Sequence, residues 1–209
     1  MSGHRASQNV SAERAELWLI RHGETEWSVT RRHTGRTDIA LTPTGEHQAA
    51  ALGRHLAGRP FALVLCSPLQ RARETCRLAG YCDVVTFTDD LLEWDYGAYE
   101  GRTTSEIRTE VPCWSIWTGS VPRGETIEQV GRRAERVIKQ ALAVGGAVAL
   151  FAHAHILRVL TACWLGLPPD AGRLFELGTA SMSVLGYERE NRAISVWNQD
   201  WHLVRQENP

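Results

Sequence analysis

Leu17-Trp18-Leu19-Ile20-Arg21-His22-Gly23-Glu24-Thr25-Glu26-Trp27 begins as four apolar residues and breaks at once into a charged pair followed by glycine. The apolar run reads as a short buried strand, and the glycine supplies the positive φ that a sharp exit needs. Arg21 and His22 therefore stand at a strand end. An arginine grips phosphate oxygens bidentately, and a neutral imidazole nitrogen beside it is a competent nucleophile toward phosphorus. A polar turn closing a strand would look the same over these three residues, so the pair needs support from elsewhere in the chain.

Two further stretches repeat the pattern. Ala62-Leu63-Val64-Leu65 is a second buried strand ended by Cys66-Ser67-Pro68, where Ser67 caps and Pro68 begins a helix that runs to about Ala79 with Arg71 in its first turn. Ala147-Val148-Ala149-Leu150-Phe151 is a third, followed by Ala152-His153-Ala154-His155 and an apolar helix from about Ile156 to Leu165. Thr42-Pro43 opens a helix toward Gly58, and Glu125 to Ala143 carries Ile127, Val130, Ala134, Val137, Ile138 and Leu142 on one face, with charged residues on the other. Val84 to Phe87 is a weaker strand, and Ser181 to Tyr187 with Ala193 to Trp197 forms an antiparallel edge hairpin. Strands alternating with amphipathic helices predict an α/β fold with a largely parallel sheet covered on both faces. Ligands of such sheets lie outside the carboxyl ends of the strands. Arg21-His22, Ser67 to Arg71 and His153 each follow a strand end, so three stretches converge on one rim.

At 209 residues, 43% hydrophobic and 22% charged, the chain has the composition of one soluble globular domain. Its 23 Lys+Arg against 24 Asp+Glu give a formal charge of −1, which offers no basic field for nucleic acid or an anionic membrane. No apolar run approaches the roughly 18 residues of a membrane helix. The five cysteines, Cys66, Cys76, Cys82, Cys113 and Cys163, are odd in number and lack CxxC or zinc-ribbon spacing, which predicts free thiols and a cytoplasmic location. Residues 1–16 read as a disordered polar tail, 17–209 as a single domain that leaves room for a homodimer, and about 94–124 as a tryptophan-rich insertion that packs as a lid or side wall.

Phosphoryl transfer needs a nucleophile, donors for the equatorial oxygens and an acid for the departing one. His22 is the candidate nucleophile; Arg21, Arg71 and His153 would hold the oxygens, the histidine as a charged donor. Glu93 would act as acid and then as base for the hydrolytic water, with Leu91, Leu92 and Trp94 expected to raise its pKa. Spacing alone does not separate Glu93 from Asp89, Asp90 or Asp95, and Arg71, beside Arg73 and Glu74, could equally decorate a helix. The His153-x-His155 pair on strand-like spacing also suits a metal, but no acidic or cysteine cluster has matching spacing, so neither metal nor other cofactor is expected. Cys66 and Arg71 are separated by four residues, one short of a Cys-x5-Arg loop, and no G-x-x-x-x-G-K-[ST] or G-x-G-x-x-G occurs.

Leu19 to Trp27, with Thr34-Gly35 and Leu41-Thr42-Pro43-Thr44-Gly45 after it, resembles the histidine phosphatase (phosphoglycerate mutase-like) superfamily. Cys66-Ser67-Pro68-Leu69-Gln70-Arg71-Ala72 resembles that family's Ser-Pro-Leu-x-Arg-Ala box, Leu92 to Gly101 its acid-bearing box, and Phe151-Ala152-His153 its second-histidine box, over about residues 17 to 200. The resemblance implies a three-layer α/β/α sandwich with a mostly parallel central sheet and an antiparallel edge strand. It implies a transient phosphohistidine on His22, with Arg21, Arg71 and His153 as phosphate ligands, Glu93 as proton donor and no metal. It adds Ser28, Thr34, Gly35 and Ala154 to the phosphate pocket, although Ser28 stands where mutase-type members commonly have asparagine and Ala154 where glycine is usual.

The compact Trp94 to Arg102 passage resembles the phosphatase branch, because the mutases look longer there, with extra basic residues for the glycerate carboxylate. Glu93 to Gly97, Gly124-Glu125-Thr126 and Phe151 to His155 are similar to members that include broad acid phosphatases and sedoheptulose-1,7-bisphosphatases. The implied activity is a metal-independent phosphomonoesterase acting on a small phosphorylated metabolite, a sugar phosphate or sugar bisphosphate. The alternatives are a cofactor-dependent phosphoglycerate mutase and an inactive phosphate-binding module. Arg31, Arg32, Arg36, Arg102 and Arg123 are candidates for a second phosphate or a solvated basic face, and Trp94, Tyr96 and Trp117 for pocket wall or core.

Overall fold

The computed structural model describes residues 14–204. Six strands, β1 (Glu16–Arg21), β2 (Leu63–Cys66), β3 (Val85–Phe87), β4 (Ala147–Ala152), β5 (Met182–Glu188) and β6 (Asn191–Gln199), form one sheet in the order β3-β2-β4-β1-β5-β6. β3, β2, β4 and β1 pair in parallel, β5 joins β1 antiparallel, and β6 completes an antiparallel hairpin with β5. Helices α2 (Pro43–Leu56) and α3 (Gln70–Leu78) cover one face; α5 (Ile127–Val144) and α6 (Ala154–Trp164) cover the other. Three short helices, α1 (Glu26–Val29), α4 (Thr104–Arg108) and α7 (Trp201–Val204), lie in the connections and near the end of the described chain.

The unbroken apolar strands follow from this layering. In β1, Leu17 and Leu19 enter the core beneath α5 and α6 while Trp18 and Ile20 face α2 and α3; in β4, Val148, Leu150 and Ala152 alternate with Ala149 and Phe151 in the same way. A strand covered on both sides needs an apolar residue at every position, because successive side chains point to opposite faces.

Several boundaries differ from the sequence reading. The fold begins before residue 17: Ala15 is buried and the Arg14 side chain donates to the carbonyl of Arg189, while residues 1–13 of the expected tail lie outside the described residues. α3 starts at Gln70, with Leu69 as its N-cap and no side-chain cap bond; the Ser67 hydroxyl accepts the Leu69 N–H at 3.4 Å and meets His153. His153 is the N-cap of α6, so His153 and His155 sit in a helix start and not on strand spacing. Thr42 and Thr126 do cap, each accepting a backbone N–H from three residues on. In the 94–124 segment, Trp94, Tyr96, Tyr99, Ile107, Trp114 and Ile116 join the core beneath α5 and α6, so this stretch packs as a side wall.

Gly23 does not take a positive φ. Its reason is proximity: a Cβ there would come closer than 3.0 Å to the backbone of Gly45, and one on Gly45 equally close to that of Glu24. Gly45→Ala sets a helix-propensity gain of about 1 kcal/mol against overpacking of about 1–3 kcal/mol or more. The collision is with backbone, which cannot rotate away, so the urea midpoint is expected to fall. An unchanged or higher midpoint would mean that the two segments separate without cost.

Candidate active site

Arg21 lies opposite Ala152 in the parallel pairing of β1 with β4, so the next residues, His22 and His153, meet at the carboxyl end of the sheet with ring centroids 5.2 Å apart. β2 flanks β4 on its other side and delivers Ser67, whose Oγ is 2.8 Å from His153 Nε2. Arg71, in the first turn of α3, donates from Nε to His153 Nδ1 at 3.1 Å and from its terminal nitrogens to the carbonyls of Thr34, Gly35 and Thr37 at 3.2, 2.9 and 3.0 Å. A guanidinium N–H can only donate, so His153 Nδ1 accepts and the ring proton resides on Nε2. His22 has the opposite tautomer. Its Nδ1 donates to the Gly23 carbonyl at 2.7 Å and leaves the Nε2 lone pair unengaged.

Burial first, then the charges of Arg71 and Arg21, holds His22 well below the ordinary imidazole range. Burial, Arg71 and His22 do the same to His153, so it is a neutral acceptor for Arg71 and not the charged donor expected from sequence. Burial lowers the Arg21 guanidinium to about 10, which leaves it cationic at neutral pH. Arg21 Nη1 donates to the Leu177 carbonyl at 2.6 Å, whereas its buried Nε has no protein partner among the described residues.

Glu93 reaches the same rim from the loop between β3 and α4 and sits over the start of α6. Its Oε1 accepts the N–H groups of Trp94 and Ile156 at 2.9 and 3.0 Å, and its Oε2 that of His155 at 3.0 Å. Burial by itself would raise the carboxyl, as the sequence reading expected from its apolar neighbours. The hydrogen bonds and charge of His155 outweigh burial and hold it well below the usual carboxylate range. Amides at a helix N-terminus stabilise the ionised form. Asp90 pairs with Arg136, Asp95 accepts from the Gly97 amide, and neither they nor Asp89 line the cavity.

The loop is held from beneath by Arg133, which the sequence reading left among the charged residues of α5. It is 8% exposed and donates to the carbonyls of Asp90, Leu92 and Glu93 at 3.0, 2.7 and 3.4 Å and to both carboxylate oxygens of Glu125 at 2.8 Å. Spacing carried the signal: Arg133 falls three residues after Val130 and four before Val137, on the apolar stripe of the helix.

A cavity of about 340 Å³ opens here, and Arg21, His22, Ser28, Thr34, Glu93 and Ala154 of the predicted set line it. Arg71 and His153 are fully buried behind His22. Gly35 lies off the cavity, its carbonyl on Arg71 and its N–H on Glu100 at 2.7 Å. Among the basic candidates, Arg32, Arg36 and Arg102 are paired with Glu106, Glu125 and Glu110, Arg123 lies away from the cavity, and Arg31 stands on its rim. The wall cation that sequence reading missed is Arg158, which donates to the Gly172 carbonyl at 3.1 Å and rests on the half-buried Trp117 ring at 4.6 Å. Tyr96 is both buried and part of the wall, while Trp94 belongs to the core. A larger open hollow of about 720 Å³ adjoins through Arg31, and its lining holds no histidine, cysteine or carboxylate.

A neutral imidazole with a free lone pair, flanked by guanidiniums at the carboxyl end of a parallel sheet, is suited to a tetrahedral phosphoryl anion. The pattern of the histidine phosphatase superfamily (branch 1) matches residues 17–200, and the chain belongs to that superfamily. It is 40% identical over 190 residues to an acid phosphatase of Mycobacterium tuberculosis, covering 89% of this chain and 93% of that protein. It is 36% identical over 182 residues to a sedoheptulose 1,7-bisphosphatase of Saccharomyces cerevisiae, covering 71% and 67%, and 30% identical over 192 residues to a probable phosphoglycerate mutase of Yersinia enterocolitica, covering 87% and 89%. The solved structure of an open reading frame product of Mycobacterium tuberculosis superimposes with a TM-score of 0.83 at 38% identity, covering 89% of this chain and 98% of that one. A mycobacterial glucosyl-3-phosphoglycerate phosphatase complexed with VO3 gives 0.79 at 28%, covering 88% and 98%. The chain is thus an enzyme of the histidine phosphatase class, and none of its described helices is long and apolar enough to cross a membrane.

Two outcomes follow from this geometry. Arg133→Leu leaves three loop carbonyls without their donor and Glu125 with only Arg36 and the Asp95 amide, and is expected to cost about 3–5 kcal/mol, measured by urea unfolding; a loss below about 1 kcal/mol would mean that the loop holds itself. Burial, as the first cause in each, also keeps His22, His33 and His153 below their ordinary range, His33 at about 4. The unfolded chain binds protons at these rings as pH drops below about 6.5 and the fold does not, so their contribution is full above pH 7 and lost on acidification. The lowered Glu93 carboxyl acts in the same direction at lower pH. The Tm is expected to fall by about 5 °C or more between pH 7.5 and pH 5, with inorganic phosphate recovering part of the loss; a flat profile would show charged, paired imidazoles in the fold.

Proposed function

We propose that the protein is a metal-independent phosphomonoesterase that passes the phosphoryl group of a small phosphorylated metabolite through a phosphohistidine on His22. The observation that carries this reading is the 2.7 Å bond from His22 Nδ1 to the Gly23 carbonyl, which leaves Nε2 as a lone-pair donor beside the partnerless Nε of Arg21. Nε2 attacks phosphorus in line, the P–O ester bond breaks, and the proton of the Glu93 carboxyl goes to the departing oxygen. Water then attacks the phosphorus, the P–N bond breaks, Glu93 takes the water's proton, and phosphate leaves with the imidazole lone pair restored. Arg21 supplies positive charge at the cavity, and Arg71 supplies it from behind through His153 and the 34–37 loop, so the reaction as drawn calls on no metal. The phosphoryl anion reverses the balance at Glu93: its negative charge in the same cavity lifts the carboxyl toward the protonated state that the first step needs.

A sugar phosphate or sugar bisphosphate suits the site best. A cavity of about 340 Å³ takes a small metabolite, and Arg158, which bonds only the carbonyls of Gly172 and Arg173 and has no ion pair among the described residues, is available to a second anionic group. The relative named for sedoheptulose 1,7-bisphosphate supports this class. Five free cysteines support a cytoplasmic setting. The relative named as a probable phosphoglycerate mutase supports a second reading, in which the phosphohistidine returns its phosphoryl group to a glycerate hydroxyl.

Phosphate release would be followed in EDTA from sedoheptulose 1,7-bisphosphate, fructose 1,6-bisphosphate, 3-phosphoglycerate and nitrophenyl phosphate. The protein is expected to release phosphate and to trap an acid-labile phosphoryl label, and His22→Ala to lose both, the rate by more than about a thousandfold. Release that survives His22→Ala would overturn the nucleophile, and isomerisation of 3-phosphoglycerate without release would select the mutase.

A further inference from the structure

His155 has no part in the reaction as drawn, yet its ring stands against the acid. Its backbone N–H donates to Glu93 Oε2 at 3.0 Å, its ring Nδ1 stands 3.8 Å from that same oxygen, and the Tyr96 hydroxyl is 2.6 Å from Nδ1. Trp94 and Trp117 wall the ring at centroid distances of 6.2 and 5.2 Å, leaving the side chain 17% exposed. The titratable and charged groups that face it are Glu93 and Tyr96 from the acid loop, His33 from the loop after α1 at 6.4 Å, Arg158 from α6 itself and Arg21 from the end of β1. Burial, Arg158 and Arg21 oppose a charge on the imidazole, and Glu93 favours one. A proton in this corner therefore has two sites, Nδ1 and Oε2. Tyr96 serves both arrangements, since a phenol accepts from Nδ1–H or donates to a bare Nδ1.

We propose that His155, backed by Tyr96, is a positioning residue that supplies the Glu93 carboxyl with the proton of the leaving-group step. As the phosphoryl anion enters, the Nδ1 proton of the His155 imidazolium passes to Oε2 of the Glu93 carboxylate, leaving a neutral ring protonated at Nε2, and the Tyr96 hydroxyl turns to donate to the bared Nδ1. The proton then goes to the departing oxygen, returns to Oε2 from the hydrolytic water, and passes back to Nδ1 when phosphate leaves, so each turnover ends with the pair as it began. The inference rests on Glu93 being the proton donor of the proposed reaction.

Leaving groups separate this role from packing. A sugar hydroxyl must be protonated as it departs, whereas nitrophenolate leaves as an anion. His155→Asn keeps an amide for Tyr96 but carries no titratable proton, and Tyr96→Phe removes one oxygen. In both, kcat for the fastest sugar phosphate of the panel is expected to fall by about 10- to 100-fold with KM changed less than about threefold. The nitrophenyl phosphate rate is expected to fall at least about tenfold less. Equal losses on both esters, or no loss on the sugar phosphate, would overturn the proposal. His22→Ala run alongside keeps the two ideas distinct: activity in that variant defeats the phosphohistidine reading, while equal losses in the other two defeat only the role of His155. Should His155→Asn not fold, Tyr96→Phe carries the same comparison.

Discussion

The positive charge of Arg21 and the fully buried Arg71 lies beside the imidazoles of His22 and His153, and the Glu93 carboxylate answers it from across the cavity, with Asp38 and Glu100 also acting on Arg71. That imbalance keeps His22 neutral. Two guanidiniums and the lack of water strip the proton from His22, so no separate base has to do so. A buried guanidinium without partners would cost several kcal/mol. Carbonyls meet much of the demand: Thr34, Gly35 and Thr37 on Arg71, and Leu177 on Arg21. Arg21 Nε stays unmet, and in the proposed reaction a phosphoryl oxygen answers it.

The chain arranges these groups through one short junction. Within Ala152 to Ile156 it supplies the pairing partner of Arg21, the ring of His153, the cavity wall at Ala154 and the two α6 amides that hold Glu93. The turn from β4 into α6 thus fixes His22 and Glu93 relative to each other. Local unfolding of this turn would disperse both at once, which is why it lies between a central strand and a fully packed helix.

Much of this was legible in the sequence, and the failures have physical reasons. Apolar runs at Leu17, Leu63 and Ala147 gave three strands, and the rim positions of Arg21, His22 and His153 followed, because a parallel sheet fixes where strand ends gather. The charge states did not follow. Apolar neighbours of Glu93 pointed to a raised carboxyl, but the deciding group is His155, more than sixty positions away, whose ring and backbone amide both meet the carboxylate. Arg71 read as a phosphate ligand, although its donors are turned to loop carbonyls that only the tertiary path brings near. Arg133 was hidden in plain spacing, on an apolar stripe where an arginine is easily assigned to solvent. Arg158 was lost among the apolar residues of α6 for the same reason.

The wall that meets the rest of a substrate has a separate origin from the chemistry. His22, Arg71 and His153 are carried by strand ends and a helix start, whereas Arg158 lines the cavity from the second turn of α6, stacked against Trp117 of the 94–124 segment. A replacement in that pair reshapes what fits without disturbing the register that brings the histidines together. Such a protein can drift between substrates through a lineage by small steps, each leaving a working enzyme behind it.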